Sequence, residues 1–231
     1  VEATTAGVGE LLCAAVENGA RRVIVGVGGS ATTDGGLGAL RAMHPTQRFR
    51  GVDVEVACDV RTRFVDAAPT FAPQKGATPT QVEFLRRRLE RLAQVYLDES
   101  GVDVASVDGS GAAGGLAGGL LTIGAHLVSG FELVADEVRL DELIADADLV
   151  VTGEGFLDAE SFDGKVVGGV ADLCGHEGVP CLAVVGEIVD PVPPLPSHLS
   201  VVSLVDQFGP ARAVQETVAC VVELVLEHVE H

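Results

Sequence analysis

Short apolar segments alternate with helix-like segments along most of this chain. The apolar segments are residues 23–27, 52–57, 148–152, 182–186 and 201–205. Each is too short to be a typical buried helix, and segments with helical spacing of apolar residues lie between them. Parallel strands need connections of that kind, because the chain must return to the same edge of the sheet. The sequence therefore predicts an α/β fold with mainly parallel sheets.

The other segments are interpreted from end signals and composition. Thr78, Pro79 and Gln81 form the pattern of a capping box, which predicts the start of a helix. Residues 111–128 are mostly Gly, Ala and Leu and predict a helix packed closely against a neighbouring element, because each glycine costs about 1 kcal/mol against alanine. Residues 131–135 predict a strand, and residues 153–164 predict a loop.

The charge of the chain limits its partners. Its 231 residues include 15 Lys and Arg against 34 Asp and Glu, a formal net charge of −19. Such a surface repels nucleic acid and anionic membranes, so we expect neither as a partner. The arginine run at residues 86–88 has no interleaved aromatic residues and predicts a solvated helix face. The sequence shows no signal peptide and no long apolar run, from which we expect a cytoplasmic protein.

A glycine-rich loop follows the first predicted strand. Residues 25–36 read V-G-V-G-G-S-A-T-T-D-G-G and precede a predicted helix. Glycines allow a turn whose backbone N–H groups face an anion, and hydroxyl groups add further donors. The candidate phosphate ligands are Gly28, Gly29, Ser30, Thr32 and Thr33. Asp34 is a candidate Mg²⁺ ligand, because magnesium prefers carboxylate oxygens.

A second motif follows the strand predicted at residues 148–152, where α/β sheets place their ligands. It reads T-G-E-G-F-L-D and continues to Ser161 and the pair Gly164-Lys165. Glu154 is a candidate metal ligand, and Asp158 is a candidate general base. Lys165 is one of only two lysines in the chain, and a lysine beside glycine suits phosphate binding.

The other lysine belongs to a third pair of short motifs, A-C-D-V and P-Q-K-G-A. Lys75 precedes Gly76, so it is also a candidate phosphate ligand. Asp59 follows a predicted strand, where an acid can contact a ligand, although a solvated strand end fits equally well.

Taken in order, these motifs resemble the bacterial type I glycerate kinase family, from about residue 4 to residue 208. The resemblance implies an enzyme that transfers a phosphoryl group from ATP, with Mg²⁺, to a hydroxyl group of D-glycerate. It implies two α/β domains, one inserted in a Rossmann-like outer domain, with the active site in the cleft between them. Residues 1–137 resemble the inserted domain, and residues 138–231 resemble the C-terminal half of the outer domain. The partners implied are D-glycerate and ATP, for a monomer or a homodimer.

The resemblance also assigns roles to residues of this chain. The loop at residues 28–33 and Lys75 would cradle phosphate, with Mg²⁺ held by Asp34 or Glu154. Asp158 would accept the hydroxyl proton of glycerate while Lys165 neutralises charge on the moving phosphoryl group. Substrate contacts are expected from Asp59 and Ser161.

Two departures and two alternatives remain open. The family's opening strand with an Asp-Ser-Phe-Lys-Gly segment has no match here, and the family has more residues at segments 43–50 and 187–197, so we expect the sequence to omit an N-terminal part and some loops. Phe156 stands where many members have Arg, which puts the rate or the substrate in question. Gly26, Gly28 and Ala31 also match the dinucleotide pattern G-x-G-x-x-A, so an NAD(P)-dependent oxidoreductase is one alternative. A non-catalytic sensor of a small acid that keeps the kinase fold is the other.

Overall fold

The computed structural model describes residues 2–162, 164–189 and 192–229, which form two compact units. The units are Val1–Gly130 and Phe131–His231. Each contains a three-stranded parallel sheet with helices packed against it. The α/β fold with parallel sheets that the alternation of segments predicts is therefore confirmed. The domain boundary at residue 137 that the family resemblance implies stays a prediction.

In the first unit the three strands pair in the order in which they occur along the chain. They are β1 (Arg22–Gly26), β2 (Asp53–Ala57) and β3 (His126–Val128). The α-helices are α1 (Ala6–Glu17), α2 (Leu37–Ala42), α3 (Ala67–Phe71), α4 (Pro79–Ser100) and α5 (Ala112–Leu121). Two short 3₁₀ helices span Thr46–Phe49 and Pro73–Lys75. Gly26 pairs with Ala57, and Ala57 pairs with Val128, so the carboxyl ends of the three strands lie at one edge.

The second unit repeats this plan with longer strands. They are β4 (Val150–Leu157), β5 (Cys181–Ile188) and β6 (Leu199–Ser203), again in sequential order. The helices are α6 (Gly130–Val138, which starts at the last residue of the first unit), α7 (Leu140–Ala145), α8 (Val166–Glu177), α9 (Leu204–Gln215) and α10 (Thr217–Val229). A 3₁₀ helix spans Ala159–Phe162. Strand β5 is buried through its first five residues and forms the centre of the core.

Helix α4 begins where the capping box predicts. The Thr78 side chain accepts a hydrogen bond from the Gln81 N–H, and the Gln81 side chain accepts one from the Thr78 N–H. These bonds satisfy two donors that the first helical turn leaves free. The helix ends at Gly101, whose φ of 75° is a left-handed conformation that glycine adopts without strain.

Three predicted segments differ from the structure. Residues 111–128 are not one helix, because residues 113–115 are left-handed and residues 126–128 form β3. Residues 131–135 belong to α6 and not to a strand. So short a run of apolar residues fits the spacing of a helix as well as the alternation of a strand. Strand β4 continues through residues 153–157, which composition alone assigned to a loop. Its Gly153 lies against the Val184 carbonyl, where a Cβ would come within 2.2 Å of the oxygen.

The glycine-rich turn of α5 packs directly against the loop that follows β1. Gly35 donates its N–H to the Gly114 carbonyl at 3.0 Å. A Cβ on Gly114 would lie 2.0 Å from the Thr32 carbonyl oxygen, and one on Gly115 would lie 2.8 Å from Gly35 Cα. The close approach expected for this segment is therefore present, and it occurs at the left-handed residues.

Among the residues that the structure describes, no helix is long and apolar enough to cross a membrane.

We expect Gly114→Ala to destabilise the first unit strongly. The substitution adds a Cβ that meets the Thr32 carbonyl and also forces alanine into a φ of 67°. Together these effects should lower the free energy of unfolding by about 3 kcal/mol or more, measured by urea denaturation.

Gly101→Ala is the matched control for this substitution. Its φ is 75°, but a Cβ there meets no atom within 4 Å. Its loss should therefore be about 1–2 kcal/mol, from the backbone conformation alone. Equal losses for the two variants would contradict the close contact at Gly114.

Candidate functional site

A cavity of about 610 Å³ opens at the carboxyl ends of β1 and β2. Parallel sheets bind ligands at that edge, because the connecting loops leave a crevice there. The cavity brings together several residues that the sequence singles out. They are Gly28, Gly29, Ser30, Asp59 and Lys75. The glycine loop and the two short motifs A-C-D-V and P-Q-K-G-A thus contribute to one surface in the first unit.

Lys75 holds the glycine loop from the opposite wall of this cavity. It ends the 3₁₀ helix Pro73–Lys75, and its Nζ donates to Ser30 Oγ at 2.8 Å and to the Thr32 carbonyl at 2.6 Å. The amine also lies 5.8 Å from the centre of the Phe71 ring. Lys75 makes no ion pair in the part of the chain that the structure describes.

Partial burial lowers the pKa of the Lys75 amine, because removal of water disfavours the charged form. The amine donates its hydrogen bonds to a neutral hydroxyl and a carbonyl, so no anion among the described residues compensates its charge. An anion bound in the cavity would compensate the charge of the amine and favour its protonated form. The surroundings of Lys75 therefore favour a negatively charged ligand.

The backbone of the glycine loop is accessible from the cavity. Gly29 has a φ of 61°, and a Cβ on either Gly28 or Gly29 would meet no atom within 4 Å. Within residues 2–162, the backbone N–H groups of Gly28, Gly29 and Ser30 donate to no other group of the protein. Free N–H groups beside open space and a lysine are the elements of an anion site.

Asp59 has a partner of its own at the edge of this cavity. Its Oδ1 accepts a hydrogen bond of 2.7 Å from the N–H of Gly130, the last residue of the first unit. A side chain on Gly130 would collide with this carboxylate. One oxygen therefore helps to fix the chain after β3, and the expected substrate contact stays a prediction for the other oxygen.

Thr32, Thr33 and Asp34 lie on the loop but do not line the cavity. The Thr32 hydroxyl donates to the Ala113 carbonyl at 3.4 Å, and the Thr33 hydroxyl donates to the Thr32 carbonyl at 2.9 Å. The structure thus uses both side chains to shape the loop and its contact with α5. Their expected phosphate contacts stay predictions.

The Asp34 carboxylate connects the loop to the ends of two helices. Its Oδ2 accepts from the Thr5 N–H at 2.8 Å, from the Thr5 hydroxyl at 2.9 Å and, more weakly, from Thr4 and Gly38. Its Oδ1 accepts from the Gly36 N–H at 3.2 Å. Both oxygens are engaged, so a metal ion at Asp34 would compete with these donors. Metal binding there stays a prediction.

In the second unit, Asp158 and Ser161 form a closed turn directly after β4. Asp158 N–H donates to Ser161 Oγ at 3.0 Å, and Ser161 N–H donates to Asp158 Oδ1 at 3.1 Å. Ser161 is only 1% exposed. These bonds fix the orientation of the Asp158 carboxylate, and its Oδ2 accepts no hydrogen bond from residues that the structure describes. A fixed carboxylate with one free oxygen is suited to accept a proton.

Glu154 carries an unsatisfied oxygen in the same unit. It lies on β4 opposite Val185, and its Oε1 is buried without a hydrogen-bond partner among the described residues. A buried carboxylate oxygen without a partner is costly, so the position calls for a cation or a donor. Carboxylate oxygen is also the ligand that Mg²⁺ prefers, so this residue fits a magnesium ion.

Lys165 begins α8 with an extended backbone, just beyond the turn at Asp158. Its Nζ lies 3.4 Å from Glu160 Oε2, and the side chain is 40% exposed. Such an ion pair at the surface is weak. Lys165 can therefore leave Glu160 for a stronger anion at little cost.

Sequence reasoning missed two groups. Gln74 and Phe71 line the cavity beside Lys75, and Gln74 stands in the P-Q-K-G-A motif that signals this wall. His126 Nε2 lies 3.6 Å from Asp53 Oδ1 and 3.9 Å from Glu55 Oε1. That second group joins residues far apart in sequence, so only strand pairing reveals it.

Comparison with known proteins identifies relatives along almost the whole chain. A model of the "Glycerate kinase family" matches residues 1–46 and 43–230. The glycerate kinase of Bacillus subtilis (strain 168) is 36% identical over 217 residues, covering 80% of this chain and 57% of the relative. The glycerate 2-kinase of Escherichia coli (strain K12) is 35% identical over 227 residues, covering 84% of this chain and 60% of the relative. The chain thus spans less than two thirds of the length of these relatives.

A solved structure is similar as well. A crystal structure from Salmonella typhimurium LT2, described as a candidate glycerate kinase 2, matches 99% of this chain with a TM-score of 0.70 and 31% identity. This chain covers 70% of that one.

The pKa of Lys75 is directly measurable, because the chain contains only two lysines. We expect NMR of ¹³C-labelled lysine to show a Lys75 signal, assigned with Lys75→Arg, that titrates below its ordinary value of 10.5. Between the lowered pKa and 10.5 the folded chain binds fewer protons than the unfolded chain, so this group makes the fold more stable as pH rises through that window. Inorganic phosphate should shift the pKa upward, since an adjacent anion favours the charged amine.

Sodium chloride at the same ionic strength is the control and should produce a smaller shift. A Lys75 pKa at or above 10.5 without phosphate, or one that phosphate leaves unchanged, would contradict an anion site at this wall.

Proposed function

This chain belongs to the glycerate kinase family, and we propose on that premise that it acts in the transfer of a phosphoryl group from ATP to a hydroxyl group of D-glycerate. The product would be a phosphoglycerate. The proposal rests on the amine of Lys75, which has no ion-pair partner among the described residues and lies beside the accessible backbone of the glycine loop. This arrangement gives a strongly acidic chain a local site for phosphate.

The net charge makes such a site necessary. At −19 the field of the whole chain repels both glycerate and ATP. Attraction must therefore come from short-range groups that water screens little. Lys75, partly withdrawn from water, and the N–H groups of residues 28–30 are of that kind. We infer that they bind phosphate oxygens.

The second unit supplies the groups proposed for proton transfer and charge neutralisation. Asp158 is held by Ser161 and would accept the glycerate hydroxyl proton on its free Oδ2, which makes the hydroxyl oxygen a better nucleophile. Lys165, only weakly paired with Glu160, would neutralise charge on the transferred phosphoryl group. Ser161 would contribute by holding Asp158, in addition to any contact with substrate.

Glu154 is the proposed ligand of Mg²⁺, because its buried oxygen has no partner among the residues that the structure describes and fits a cation. When bound, the ion would neutralise part of the charge on the phosphate oxygens. Asp34 remains the second proposed ligand, although its oxygens already accept hydrogen bonds from α1 and α2.

The oxidoreductase alternative has less support. It needs an acid near the carboxyl end of the second strand to bind a ribose. The acids considered for that role are Asp53, which is the first residue of β2, and Glu55, which is paired with Arg22 at 2.7 Å. Neither occupies the end of the strand at which the glycine loop lies. Asp59 does follow that end, but one of its oxygens accepts the Gly130 N–H, so it is the family match along the chain that disfavours this alternative.

Asp158→Asn should lower kcat by at least ~100-fold, because the substituted amide cannot accept the hydroxyl proton. The measurement is an ATP-dependent coupled assay with D-glycerate on the natural full chain, with the product identified by NMR. Asp172→Asn, which changes an exposed carboxylate of α8, is the control and should retain normal turnover. Near-normal turnover of Asp158→Asn would remove Asp158 from this role. Binding of glycerate without any ADP formation by the unaltered protein would favour the sensor alternative.

Glu154→Gln should raise the Mg²⁺ concentration needed for half-maximal activity by about tenfold or more, because a neutral amide is a weaker ligand than a carboxylate. Excess Mg²⁺ should restore part of the rate. Glu177→Gln, at the exposed end of α8, is the matched control. An unchanged Mg²⁺ dependence in Glu154→Gln would exclude Glu154 as a ligand.

A further inference from the structure

A second concentration of positive charge lies along the groove between α2 and α4 in the first unit. Three cavities open into this groove, and Leu37 and Arg41 line each of them. The middle cavity has a volume of about 290 Å³ and is also lined by Arg88 and Arg91. Three arginine residues, from two helices, therefore line one concave surface, which we call the arginine groove.

These three arginines have no ionic partner in the described part of the chain. On the same helix, Arg86 and Arg87 pair with Glu83, and Arg86 also pairs with Glu90. The run at residues 86–88 is thus divided: two members form ion pairs on the helix surface, and the third lines the groove. In a chain with more than twice as many acids as basic residues, unpaired arginines at one place are unexpected.

The acids near the groove do not neutralise it. Asp34 lines the middle cavity, but it brings one carboxylate against three arginines, and its oxygens are held by hydrogen bonds from Thr5 and from backbone N–H groups at the start of α2. Glu99 lines only the cavity at one end, and Glu2 lines only the cavity at the other end. The middle of the groove is therefore positive.

The groove also has features of a binding surface. Leu89, Leu92 and Val95 of α4 form its apolar floor. The Arg88 guanidinium lies 5.6 Å from the centre of the Phe84 ring, a contact that restricts its orientation. Guanidinium groups bind phosphate and carboxylate through two parallel hydrogen bonds, so several of them around one cavity select ligands with several negative charges.

We propose that the arginine groove is a second anion site, separate from the Lys75 cavity. Its ligand is a small molecule that carries two or more negative charges on phosphate or carboxylate groups. Of the residues that the structure describes, none lines both cavities. Binding at the groove requires no catalysis, so it is independent of the function proposed above.

The test is calorimetric titration of the purified full chain at constant ionic strength, in a Lys75→Gln background that removes the main charge of the other site. The probes are pyrophosphate and citrate, which separate phosphate from carboxylate as the preferred group. We expect one site for at least one probe. Arg88→Ala and Arg91→Ala should each weaken its affinity by about tenfold or more, because each removes a charge-assisted hydrogen bond.

Arg87→Ala is the matched control, since Arg87 lies on the same helix but pairs with Glu83 outside the groove. It should leave the affinity unchanged within about twofold, as the contribution of an exposed ion pair is small. Equal weakening by Arg87→Ala and Arg88→Ala, or the absence of binding by both probes, would overturn the proposal.

A second measurement avoids reliance on the Lys75 substitution. In the unaltered protein, the NMR signals of the Arg41, Arg88 and Arg91 guanidinium groups should shift when pyrophosphate or citrate is added. Signals that stay in place while the Lys75 signal moves would show that the anion occupies only the Lys75 cavity, and would likewise overturn the proposal.

Discussion

The first unit depends on a backbone-to-backbone contact between two glycine-rich segments. The loop after β1 and the left-handed turn of α5 approach so closely that no side chain fits between them at Gly114 or Gly115. The contact is closed by the hydrogen bond from Gly35 to Gly114 and by the buried Tyr96 hydroxyl, which donates to the Gly35 carbonyl at 2.9 Å. Because the loop is fixed from this side, its other side is free to form the wall of a cavity.

The loop therefore has two faces with different tasks. Thr32, Thr33 and Asp34 use their side chains in hydrogen bonds within the protein, and Asp34 thereby connects the loop to α1 and α2. The backbone of Gly28 and Gly29 faces the cavity, and Lys75 bridges to the loop at Ser30 and Thr32. Hydroxyl and acid residues in a glycine loop need not all serve a ligand, since a sharp turn itself needs acceptors and donors for its backbone.

Electrostatics in this chain is a matter of position more than of total charge. Most of the acidic excess lies in the second half of the sequence, yet the groups suited to bind anions are few and sheltered. Lys75 is partly buried and has no carboxylate partner in the described part of the chain, and three arginines line a groove in the same unit. The second unit offers the opposite preference. The buried Glu154 oxygen, which has no partner among the described residues, is suited to a cation, and Lys165 is paired only weakly with Glu160. Short distances and partial burial let such groups act against an unfavourable overall field.

The sequence by itself determined the class of fold, the start of α4 and the motifs that carry the family resemblance, because these depend on local periodicity, on capping and on the order of residues along the chain. It also singled out Lys75, Asp59 and the glycine loop as candidates for ligand binding, from their neighbours alone. Only the tertiary structure decided which of these groups share a surface. It placed Lys75 within hydrogen-bond distance of Ser30, 45 positions away in the sequence, and it engaged the Asp34 carboxylate in hydrogen bonds with Thr5. Residues 126–128 form a strand because they pair with β2. Arg88 lines the arginine groove, whereas Arg86 and Arg87 beside it form ion pairs with Glu83. Such outcomes depend on contacts between distant segments, which local patterns do not encode.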